Sequence, residues 1–282
     1  MKDTVTPATV GIIGGRGQFG AWTTRILESR GIRVIASDLG SEISNQEVVA
    51  RSDAVIIAVP IGVTARVICE IAPDLRPEQA VLDLTSVKTP FVEALQALPC
   101  EVLSLHPMFS PSVGAAKGQR CVVCPVRGGA MGAFFRALLI EEGIELIDMT
   151  PEQHDRTMAI VQGVTHFQAI AAAHCLAELG FDPQVSLAAA SPVYRIRLAM
   201  IGRILAQNPR LYAEIQIFNP YVRDALAAME RSSRALFEAV ADRDVDRFVA
   251  EFERARRGLR GFERTALEES DRLIAALGSS QR

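Results

Sequence analysis

The chain has 282 residues, of which 49% are hydrophobic and 22% are charged, a composition typical of a soluble protein that folds around a buried core. Its net charge of −3 and its isoelectric point near 5.9 offer no basic surface, which excludes nucleic acid and an anionic membrane as expected partners. The first residues have no apolar signal core, no stretch approaches eighteen apolar residues, and the odd number of cysteines, five, is typical of a reducing compartment. We therefore expect a cytoplasmic protein.

An apolar run that breaks into glycines between residues 10 and 20 predicts a strand, a tight turn and the start of a helix. Gly15, Gly17 and Gly20 fit the spacing G-x-G-x-x-G, in which the first glycine makes the turn, the second admits a pyrophosphate and the third lets the helix pack on the strand. The phosphates would bind free N–H groups at the helix N-terminus. Because glycine-rich turns also serve as ordinary connections, the motif alone leaves both interpretations open. The loop residues that we assign to a cofactor are Gly15, Arg16, Gly17, Gln18, Phe19 and Gly20.

The second predicted strand, residues 33–37, ends at Asp38, eighteen residues after Gly20. An acid at this place accepts hydrogen bonds from the two ribose hydroxyls of a dinucleotide. No basic residue directly follows Asp38 to hold a 2′-phosphate, which favours NAD over NADP. Arg16 in the glycine loop weakens this preference.

Further apolar runs predict strands at residues 54–59, 81–84, 102–105, 121–124 and 145–149. Their alternation with helices or loops predicts an α/β fold with a Rossmann-type, doubly wound parallel sheet, in a first domain of residues 1–150. Ligands of such sheets bind beyond the carboxyl ends of the strands, so the residues that follow each strand should share one rim. Besides the glycine loop and Asp38, these residues are Val59, Pro60, Ile61, Ser86, Lys88 and His106.

The pattern changes at Thr150, where Thr150-Pro-Glu-Gln153 fits a capping box with proline at the first helical position. From there the pattern predicts helices only, in a second domain of residues 151–282. The last predicted helix, residues 244–277, has an apolar stripe at helical spacing: Phe248, Phe252, Ala255, Leu259, Phe262 and Ala266. Such a stripe needs a surface to pack against, which predicts a homodimer through the helical domain.

Three residues of the rim could carry chemistry. His106 ends a strand, where a neutral imidazole could accept the proton of an alcohol that is being oxidised. Ser86 could bond a substrate hydroxyl or the nicotinamide, and Lys88 could neutralise a carboxylate. Alternatively, Ser86 is only a helix cap and Lys88 is only a solvated charge.

No other chemistry has a pattern in this chain: there is no serine-nucleophile elbow and no cluster of metal ligands. Cys121 and Cys124 form a C-x-x-C, but they lie inside a predicted strand, where an offset of three places them on opposite faces. We therefore expect buried thiols and no metal. Hydride transfer is the chemistry that the sequence supports.

The helical domain offers polar candidates for a substrate. Arg203 lies in an apolar helical run, so we expect its guanidinium to be drawn away from bulk water and to need an anionic partner, either an internal acid or a substrate carboxylate. Arg195 lies about 80° around the same helix and could belong to the same pocket or to structure. Gln162 and His166 are four residues apart on one predicted helix face, which suits a pocket wall or an ordinary interhelical hydrogen bond.

Several blocks, in order over nearly the whole chain, carry a family resemblance that is far more specific than the glycine motif. They are Gly14-Gly-Arg-Gly-Gln-Phe-Gly20, Val59-Pro-Ile-Gly-Val-Thr64, Asp83-Leu-Thr-Ser-Val-Lys88, Leu105-His-Pro-Met-Phe109, Glu152-Gln-His-Asp155 with His166-Phe167, and Ser191-Pro-Val-Tyr-Arg-Ile-Arg-Leu-Ala-Met-Ile-Gly-Arg203. The chain resembles the prephenate dehydrogenase family, especially the dehydrogenase half of the bifunctional chorismate mutase/prephenate dehydrogenase of enteric bacteria.

The resemblance implies an NAD-dependent oxidative decarboxylation of prephenate to 4-hydroxyphenylpyruvate. Hydride leaves the carbon that bears the ring hydroxyl, His106 accepts the hydroxyl proton, and loss of the ring carboxylate as CO2 makes the ring aromatic. The resemblance also implies that Arg203 clamps a substrate carboxylate and that the helical domain dimerises. It places further residues at the border of the active site: Ser86, Lys88, His154, His166 and Tyr212.

The chain departs from the family after the histidine, where the family continues with Phe-Gly-Pro and an acid, and this chain has Phe109-Ser110-Pro111-Ser112. We also expect neither a mutase domain in front nor a regulatory domain behind. The alternative is therefore a 4-amino-4-deoxyprephenate dehydrogenase of a secondary pathway. An NAD-binding protein without activity is disfavoured because it would not need His106, Ser86 and Arg203 together. A β-hydroxyacid or imine dehydrogenase is disfavoured too, because the lysine-on-helix pattern of the β-hydroxyacid enzymes is missing.

Overall fold

The computed structural model describes residues 5–111 and 116–279, and these form two compact units. The first unit contains the residues up to Ala159 and then Ala213–Tyr221. The second contains Ile160–Tyr212 and the residues from Val222 onward. Within the described ranges, no helix combines the length and the apolar character needed to span a membrane.

A single seven-stranded sheet organises the described part of the first unit. Its strands in chain order are β1 Thr9–Ile13, β2 Arg33–Ser37, β3 Ala54–Ile57, β4 Ala80–Asp83, β5 Glu101–Pro107, β6 Arg120–Arg127 and β7 Glu145–Asp148. Across the sheet they lie in the order β2-β1-β3-β4-β5-β6-β7. The order reverses at β1, so that the carboxyl ends of β1 to β5 share one edge, as the sequence predicted.

Strand β6 departs from the prediction of a wholly parallel sheet, because it runs antiparallel to β5. His106 pairs with Val122, and Pro107 with Cys121, so β6 begins where β5 ends. Strand β7 is parallel to β6, and all other neighbours are parallel. A strand that is buried on both faces reads as an apolar run in either direction, so its composition could not reveal this reversal.

Helices cover both faces of the sheet. On one face lie α1 Gln18–Glu28 and α5 Ala130–Glu141, and on the other lie α2 Asn45–Ala50, α3 Ile61–Ile71 and α4 Val92–Gln96. Successive strand residues point to opposite faces, so Ile56 packs with α1 and α5, and Ile57 packs with α2 to α4. Both are buried, which explains the continuous apolar runs of the sequence.

The capping box at Thr150 is confirmed: its side chain accepts from the N–H of Gln153, and the Gln153 side chain accepts from the N–H of Thr150. It begins α6, Pro151–Met158. The compact units nevertheless differ from the predicted division at residue 150, because His154 and Asp155 of α6 are fully buried in the first unit. A capping box shows where a helix begins and carries no information on what the helix packs against.

A π-helical segment, Ala159–Val164, follows α6. The remaining helices are α7 Thr165–Glu178, α8 Pro183–Ala188, α9 Pro192–Leu205, α10 Pro209–Phe218, α11 Val222–Ala241, α12 Val245–Gly258 and α13 Glu263–Ser279. In the second unit α9 packs against α7 and α13, and α11 packs against α12.

The long last helix of the prediction is wrong, because it is two helices, α12 and α13. They are separated by a turn in which Gly261 has a φ of +92°. The apolar spacing of three and four continues across the turn and therefore could not show the break. Phe252, Leu259 and Phe262 of the predicted stripe are 58%, 60% and 53% exposed. They remain available for the dimer interface that the sequence predicts.

Candidate active site

The glycine loop joins β1 to α1 as predicted, with one change of role. Gly14, rather than Gly15, is left-handed, with a φ of +91°, and it makes the turn. The N–H groups of Gly14 and Gly15 both donate to the carbonyl of Ser37, at 2.9 and 3.1 Å. A Cβ at Gly20 would overlap the carbonyl oxygen of Gly14, whereas a Cβ at Gly17 would lie 3.3 Å from the same oxygen. The helix can approach the strand closely only with glycine at position 20.

Two alanine substitutions separate the roles of these glycines. We expect Gly20→Ala to reduce the free energy of unfolding by about 1–3 kcal/mol, because backbone atoms must move to admit the methyl group. Gly17→Ala should leave the unfolding midpoint within experimental error and weaken dinucleotide binding, because its methyl group lies where a pyrophosphate must approach. Thermal unfolding and cofactor titration measure the two effects. Equal stability of the two variants would contradict the close packing assigned to Gly20.

A cleft of about 370 Å³ lies beside this loop, at the ends of β1 and β2. Its lining residues are Gly15, Arg16, Ala21, Thr24, Arg25, Ala36, Ser37, Asp38 and Ser41. The carboxylate of Asp38 accepts from the N–H groups of Arg16 and Leu39, both at 2.7 Å, and is thereby fixed at the cleft. Each carboxylate oxygen can accept one more hydrogen bond. A ribose with two hydroxyls and an adjoining phosphate fits this donor and acceptor set.

The other residues that the sequence assigned to a cofactor have different environments. Gln18 and Pro60 are exposed and Val59 is half-buried. The Ile61 side chain belongs to the apolar core, and the ring of Phe19 packs edge-on against Trp22 and Phe109, at centroid distances of 6.2 and 6.0 Å. The side chains of Ile61 and Phe19 thus stabilise the fold, which leaves their main chains for the predicted contact with a cofactor.

A chain of three buried side chains lies at the carboxyl end of β5. His106 Nδ1 is 2.8 Å from His154 Nε2, and His154 Nδ1 is 2.7 Å from an oxygen of Asp155. His106 is 3% exposed, and the other two are fully buried. The main-chain N–H groups of Lys88 and Thr89 donate to the same carboxylate, at 2.9 and 2.7 Å. We call the three side chains the histidine relay.

The hydrogen bonds of the histidine relay determine which nitrogens carry protons. Burial opposes ionisation of Asp155, but the hydrogen bonds from His154 and Thr89 outweigh it and lower the pKa of the carboxyl. An ionised Asp155 can only accept, so His154 donates from Nδ1 and accepts at Nε2. His106 must therefore donate from Nδ1, which leaves the lone pair on Nε2. The relay presents one nitrogen base, and that base is Nε2 of His106.

Both histidines of the relay are held neutral. Burial, then His154 and then Lys88 place the pKa of His106 well below its ordinary value of 6.5. Burial also lowers the pKa of His154, although the hydrogen bond to Asp155 opposes it. His106 therefore stays deprotonated and able to accept a proton across the neutral pH range.

These lowered pKa values predict a loss of stability in mild acid. In the unfolded chain the histidines bind protons near pH 6.5, whereas His106, His154 and His166 do so only at lower pH in the folded chain. Between those values the unfolded state binds more protons, so the free energy of unfolding rises with pH. We expect the thermal unfolding midpoint to be constant above about pH 7 and to fall as the pH decreases from 6.5 towards 5. A midpoint that rises over that interval would contradict the buried, neutral histidines.

Two predicted substrate residues, Lys88 and His154, are buried and have partners within the first unit. His154 is enclosed in the relay, and Lys88 is 1% exposed with its Nζ 2.7 Å from Asp83 Oδ1. Lys88 is thus not the solvated charge that the sequence analysis offered as the alternative. Ser86 is half-buried at the carboxyl end of β4, next to β5, and its hydroxyl bonds to no other described residue. It is accessible for the predicted contact with substrate or nicotinamide.

The second unit brings three of its candidates together. The ring of His166 packs edge-on against Tyr212 at a centroid distance of 4.7 Å, and the charge of Arg203 is close enough to influence the pKa of Tyr212, which burial raises. Arg203 itself is exposed, so the expectation that it would be withdrawn from bulk water is wrong for this chain. Helix α9 lies at the surface of its unit, and among its residues only Ile201 is buried.

The predicted pairing of Gln162 with His166 assumed an α-helix. Gln162 lies in the π-helical segment, where hydrogen bonds close five residues apart, and His166 lies in α7 directly after it. Gln162, His166 and Arg195 are all half-buried. The aromatic neighbour of His166 is Tyr212.

Two residues of the first unit were missed by the sequence analysis. Asp155 orients the relay, and Asn219 donates from Nδ2 to the main-chain oxygen of Asp155 at 2.8 Å. Asp155 directly follows His154 in one of the resemblance blocks, so its position was available as a signal. Asn219 had none, because its contact depends on the return of residues 213–221 to the first unit.

The cysteines agree with the expectation of buried thiols. Cys121 and Cys124 are fully buried, and burial raises their pKa values to about 12 and about 11. Cys100 is also buried, whereas Cys69 and Cys175 are exposed, and all five are free thiols. In residues 5–111 and 116–279, no three His, Cys, Asp or Glu side chains are grouped to hold a metal ion. Ser112, part of the predicted departure after His106, lies outside the described residues.

Family models match both halves of the chain. The model "Prephenate dehydrogenase, nucleotide-binding domain" matches residues 28–122, and "Prephenate dehydrogenase, dimerization domain" matches residues 150–254. Among solved structures, a prephenate dehydrogenase from Aquifex aeolicus in complex with hydroxyphenyl propionate and NAD+ superposes with a TM-score of 0.70 at 17% identity, over 90% of this chain and 98% of that one. That structural likeness shows the fold.

Curated relatives are closer in sequence. A probable arogenate/prephenate dehydrogenase of Methanocaldococcus jannaschii is 35% identical over 99% of this chain and 67% of its own length. The T-protein of Enterobacter agglomerans is 34% identical over 96% of this chain and 72% of its own length. A 4-amino-4-deoxyprephenate dehydrogenase of Streptomyces pristinaespiralis is 31% identical over 79% of this chain and 76% of its own length.

Proposed function

Because the chain belongs to the prephenate dehydrogenase family, we propose that it catalyses the NAD-dependent oxidative decarboxylation of prephenate to 4-hydroxyphenylpyruvate. The observation that carries the proposal is the histidine relay, which presents the lone pair of His106 Nε2 at the carboxyl end of β5. The glycine loop and Asp38 lie at the same edge of the sheet. A base beside a dinucleotide cradle is the arrangement that oxidation of a ring alcohol requires.

The chemistry divides between the cofactor and the protein. When bound, NAD supplies the acceptor for the hydride that leaves the hydroxyl-bearing carbon. Nε2 of His106 takes the hydroxyl proton, and the ionised Asp155, through His154, stabilises the positive charge that results. As the C–CO2 bond breaks, its electron pair makes the ring aromatic and places negative charge on the ring oxygen, which takes the proton back from Nε2 of His106. The burial of the relay lowers the pKa of His106 and so keeps the base neutral before the next turnover.

The proposed preference for NAD over NADP rests on the carboxylate of Asp38, which lines the cleft and would repel a 2′-phosphate. Arg16 and Arg25 line the same cleft and would attract one. The guanidinium of Arg16 donates to the carbonyl of Leu39 at 3.1 Å, which holds it beside Asp38. Comparing kcat/KM for NAD and NADP tests the preference directly.

In the second unit, we assign to Arg203 the clamp on a substrate carboxylate, with Tyr212 and His166 beside it. Arg203 is exposed, and Nδ1 of His166 is buried without a partner among the described residues. We expect Arg203→Ala to raise the KM for the substrate about 10- to 100-fold with a smaller change in kcat, because a charged hydrogen bond is lost. Arg197→Ala, an exposed arginine of the same helix, is the matched control. An unchanged KM would exclude the clamp.

The assay that tests the function follows NADH absorbance with prephenate, with arogenate and with 4-amino-4-deoxyprephenate as substrates. We expect the largest kcat/KM for prephenate. The second candidate, 4-amino-4-deoxyprephenate dehydrogenase activity, is favoured by the likeness to the Streptomyces pristinaespiralis enzyme. It would replace the first if only the amino substrate is turned over. If none of the three is oxidised, the dehydrogenase proposal fails.

The matched dimerization domain supports a homodimer as the working form. The exposed apolar residues of α12 and of the turn after it, Phe252, Leu259 and Phe262, supply surface for such an interface. Sedimentation equilibrium of the purified protein measures the mass of the assembly, and a monomer at micromolar concentration would contradict the homodimer.

A further inference from the structure

Lys88 links the histidine relay to the strand that carries it. Its Nζ donates to Asp83 Oδ1 and to the carbonyl oxygen of Leu105, both at 2.7 Å. Leu105 immediately precedes His106 on β5. The main-chain N–H of Lys88 donates to the carboxylate of Asp155, at 2.9 and 3.2 Å. Lys88 therefore contacts Asp155 at one end of the relay and Leu105, the neighbour of His106, at the other.

The ammonium of Lys88 is not available to a ligand. With 1% of the side chain exposed, a buried charge of this kind persists only because Asp83 neutralises it and the Leu105 carbonyl accepts a further hydrogen bond. Moving it towards a substrate would leave the Asp83 carboxylate buried without its counter-ion. Oδ2 of that carboxylate already has no partner among the described residues. The substrate carboxylate must be bound by other residues.

The positive charge of Lys88 also acts on the base itself. Among the described residues, the charged or titratable groups near His106 are His154 and Asp155 on α6, Asp83 and Lys88 at the end of β4, and Cys121 on β6. Lys88 is the one lysine or arginine in this set, and its ammonium is paired with Asp83. It disfavours a second positive charge on the imidazole of His106, whose pKa it helps to lower after burial and His154.

We propose that Lys88 is a positioning residue that fixes His106 through the Leu105 carbonyl and keeps its imidazole neutral, and that it is not a ligand of the substrate. This inference rests on the proposed function for the role of His106. Its first test does not, because it reads the imidazole directly.

The variant that tests it is Asp83→Asn with Lys88→Met, which removes both charges of the pair and leaves neither buried alone. The asparagine keeps an oxygen for the N–H and hydroxyl of Thr85, which now bond Asp83. Its NH2 group takes the place of Oδ2 next to β5, where Ser104, the register partner of residue 83, also has an unpartnered hydroxyl among the described residues. The chain has three lysines, and Lys117→Met changes an exposed one as the matched control.

The direct readout is the titration of the four histidines by ¹⁵N-detected NMR. In the wild type and in Lys117→Met we expect the His106 signal to remain neutral well below pH 6.5. In the double variant its midpoint should move to higher pH because the nearby cation is gone, while burial and His154 still keep it below 6.5. An unchanged midpoint in a folded double variant would overturn the proposal.

The kinetic readout separates positioning from substrate binding. We expect the double variant to lose about 10- to 100-fold in kcat, to keep its substrate KM within about threefold, and to show the acid limb of kcat/KM at higher pH. A KM that rises by tenfold or more with an unmoved His106 titration would make Lys88 a substrate ligand and refute the inference. If the wild type itself oxidises none of the three substrates, the proposed function fails while the NMR result still decides the role of Lys88.

A conservative variant covers the case in which the double variant does not fold. Lys88→Arg keeps the charge, so the His106 midpoint must stay low, whereas kcat should fall because a planar guanidinium cannot place one donor on both Asp83 and Leu105 in the same geometry. A midpoint that moves to higher pH in Lys88→Arg, or a kcat equal to that of the wild type, would count against the proposal.

Discussion

Replacing His106 with asparagine is expected to lower kcat by about 10²- to 10⁴-fold, the contribution usual for a general base. The asparagine amide can still donate to Nε2 of His154 and occupy the buried space, but it cannot accept a proton at neutral pH. The variant should therefore fold and lose turnover only. NADH formation under saturating substrate measures the effect.

Two further measurements make the His106 result specific. Trp22, the single tryptophan, lies on α1 directly after the glycine loop, so its fluorescence reports dinucleotide binding. We expect the cofactor affinity of His106→Asn to equal that of the wild type. His174→Asn is the matched control, because this histidine is largely exposed on α7 and pairs with Glu178. A drop in cofactor affinity that accounts for the lost turnover would assign His106 to binding instead.

The second large effect is expected from Asp155→Asn, which should lower kcat by about 10²- to 10⁴-fold by reversing the tautomers of the relay. If the asparagine oxygen faces the N–H of Thr89, its NH2 group faces Nδ1 of His154, which must then accept. His154 would donate from Nε2, and His106 would carry its proton on Nε2, where no further proton can be taken. If the oxygen faces His154, the NH2 group opposes the Thr89 N–H and the site loses stability.

The Asp155 prediction has its own signature in the ¹⁵N shifts of the histidines, which show directly which nitrogen is protonated. In the wild type we expect protonated Nδ1 and unprotonated Nε2 at both His106 and His154. In Asp155→Asn this should be reversed or mixed. Glu152→Gln neutralises an exposed carboxylate on the same helix and serves as the control. A folded Asp155→Asn enzyme within threefold of the wild-type kcat would show that the carboxylate does not set the tautomer.

The strand ends were predictable because each buried run stops at a polar residue. Asp38, Ser86 and His106 were placed at one edge of the sheet by this rule, and the structure has them there. This rule needs only the length of each buried strand and the assumption that neighbouring strands are parallel. It failed for the direction of β6, because the segment between β5 and β6, and not the composition of β6, decides in which direction the strand runs.

The histidine relay could not be predicted in the same way. His106 and His154 are 48 residues apart, and their contact exists only because α6 packs in the first unit after the predicted domain boundary. Lys88 was misjudged because a lysine after a strand is usually solvated, and its partner Asp83 is five residues earlier with no periodic relation to it. The spacing of residues along the chain does not predict contacts between polar groups that are far apart in sequence.

The positions of the five thiols allow the opening of the sheet unit to be measured by alkylation. Cys100, Cys121 and Cys124 are interior and all belong to the sheet unit, whereas Cys69 and Cys175 face solvent, one in each unit. A maleimide should alkylate the two outer thiols at once at neutral pH. The three inner ones should react only when the sheet opens, since their raised pKa values leave almost no thiolate. Counting added labels by mass spectrometry over time would thus give the opening rate of the sheet unit without any engineered probe.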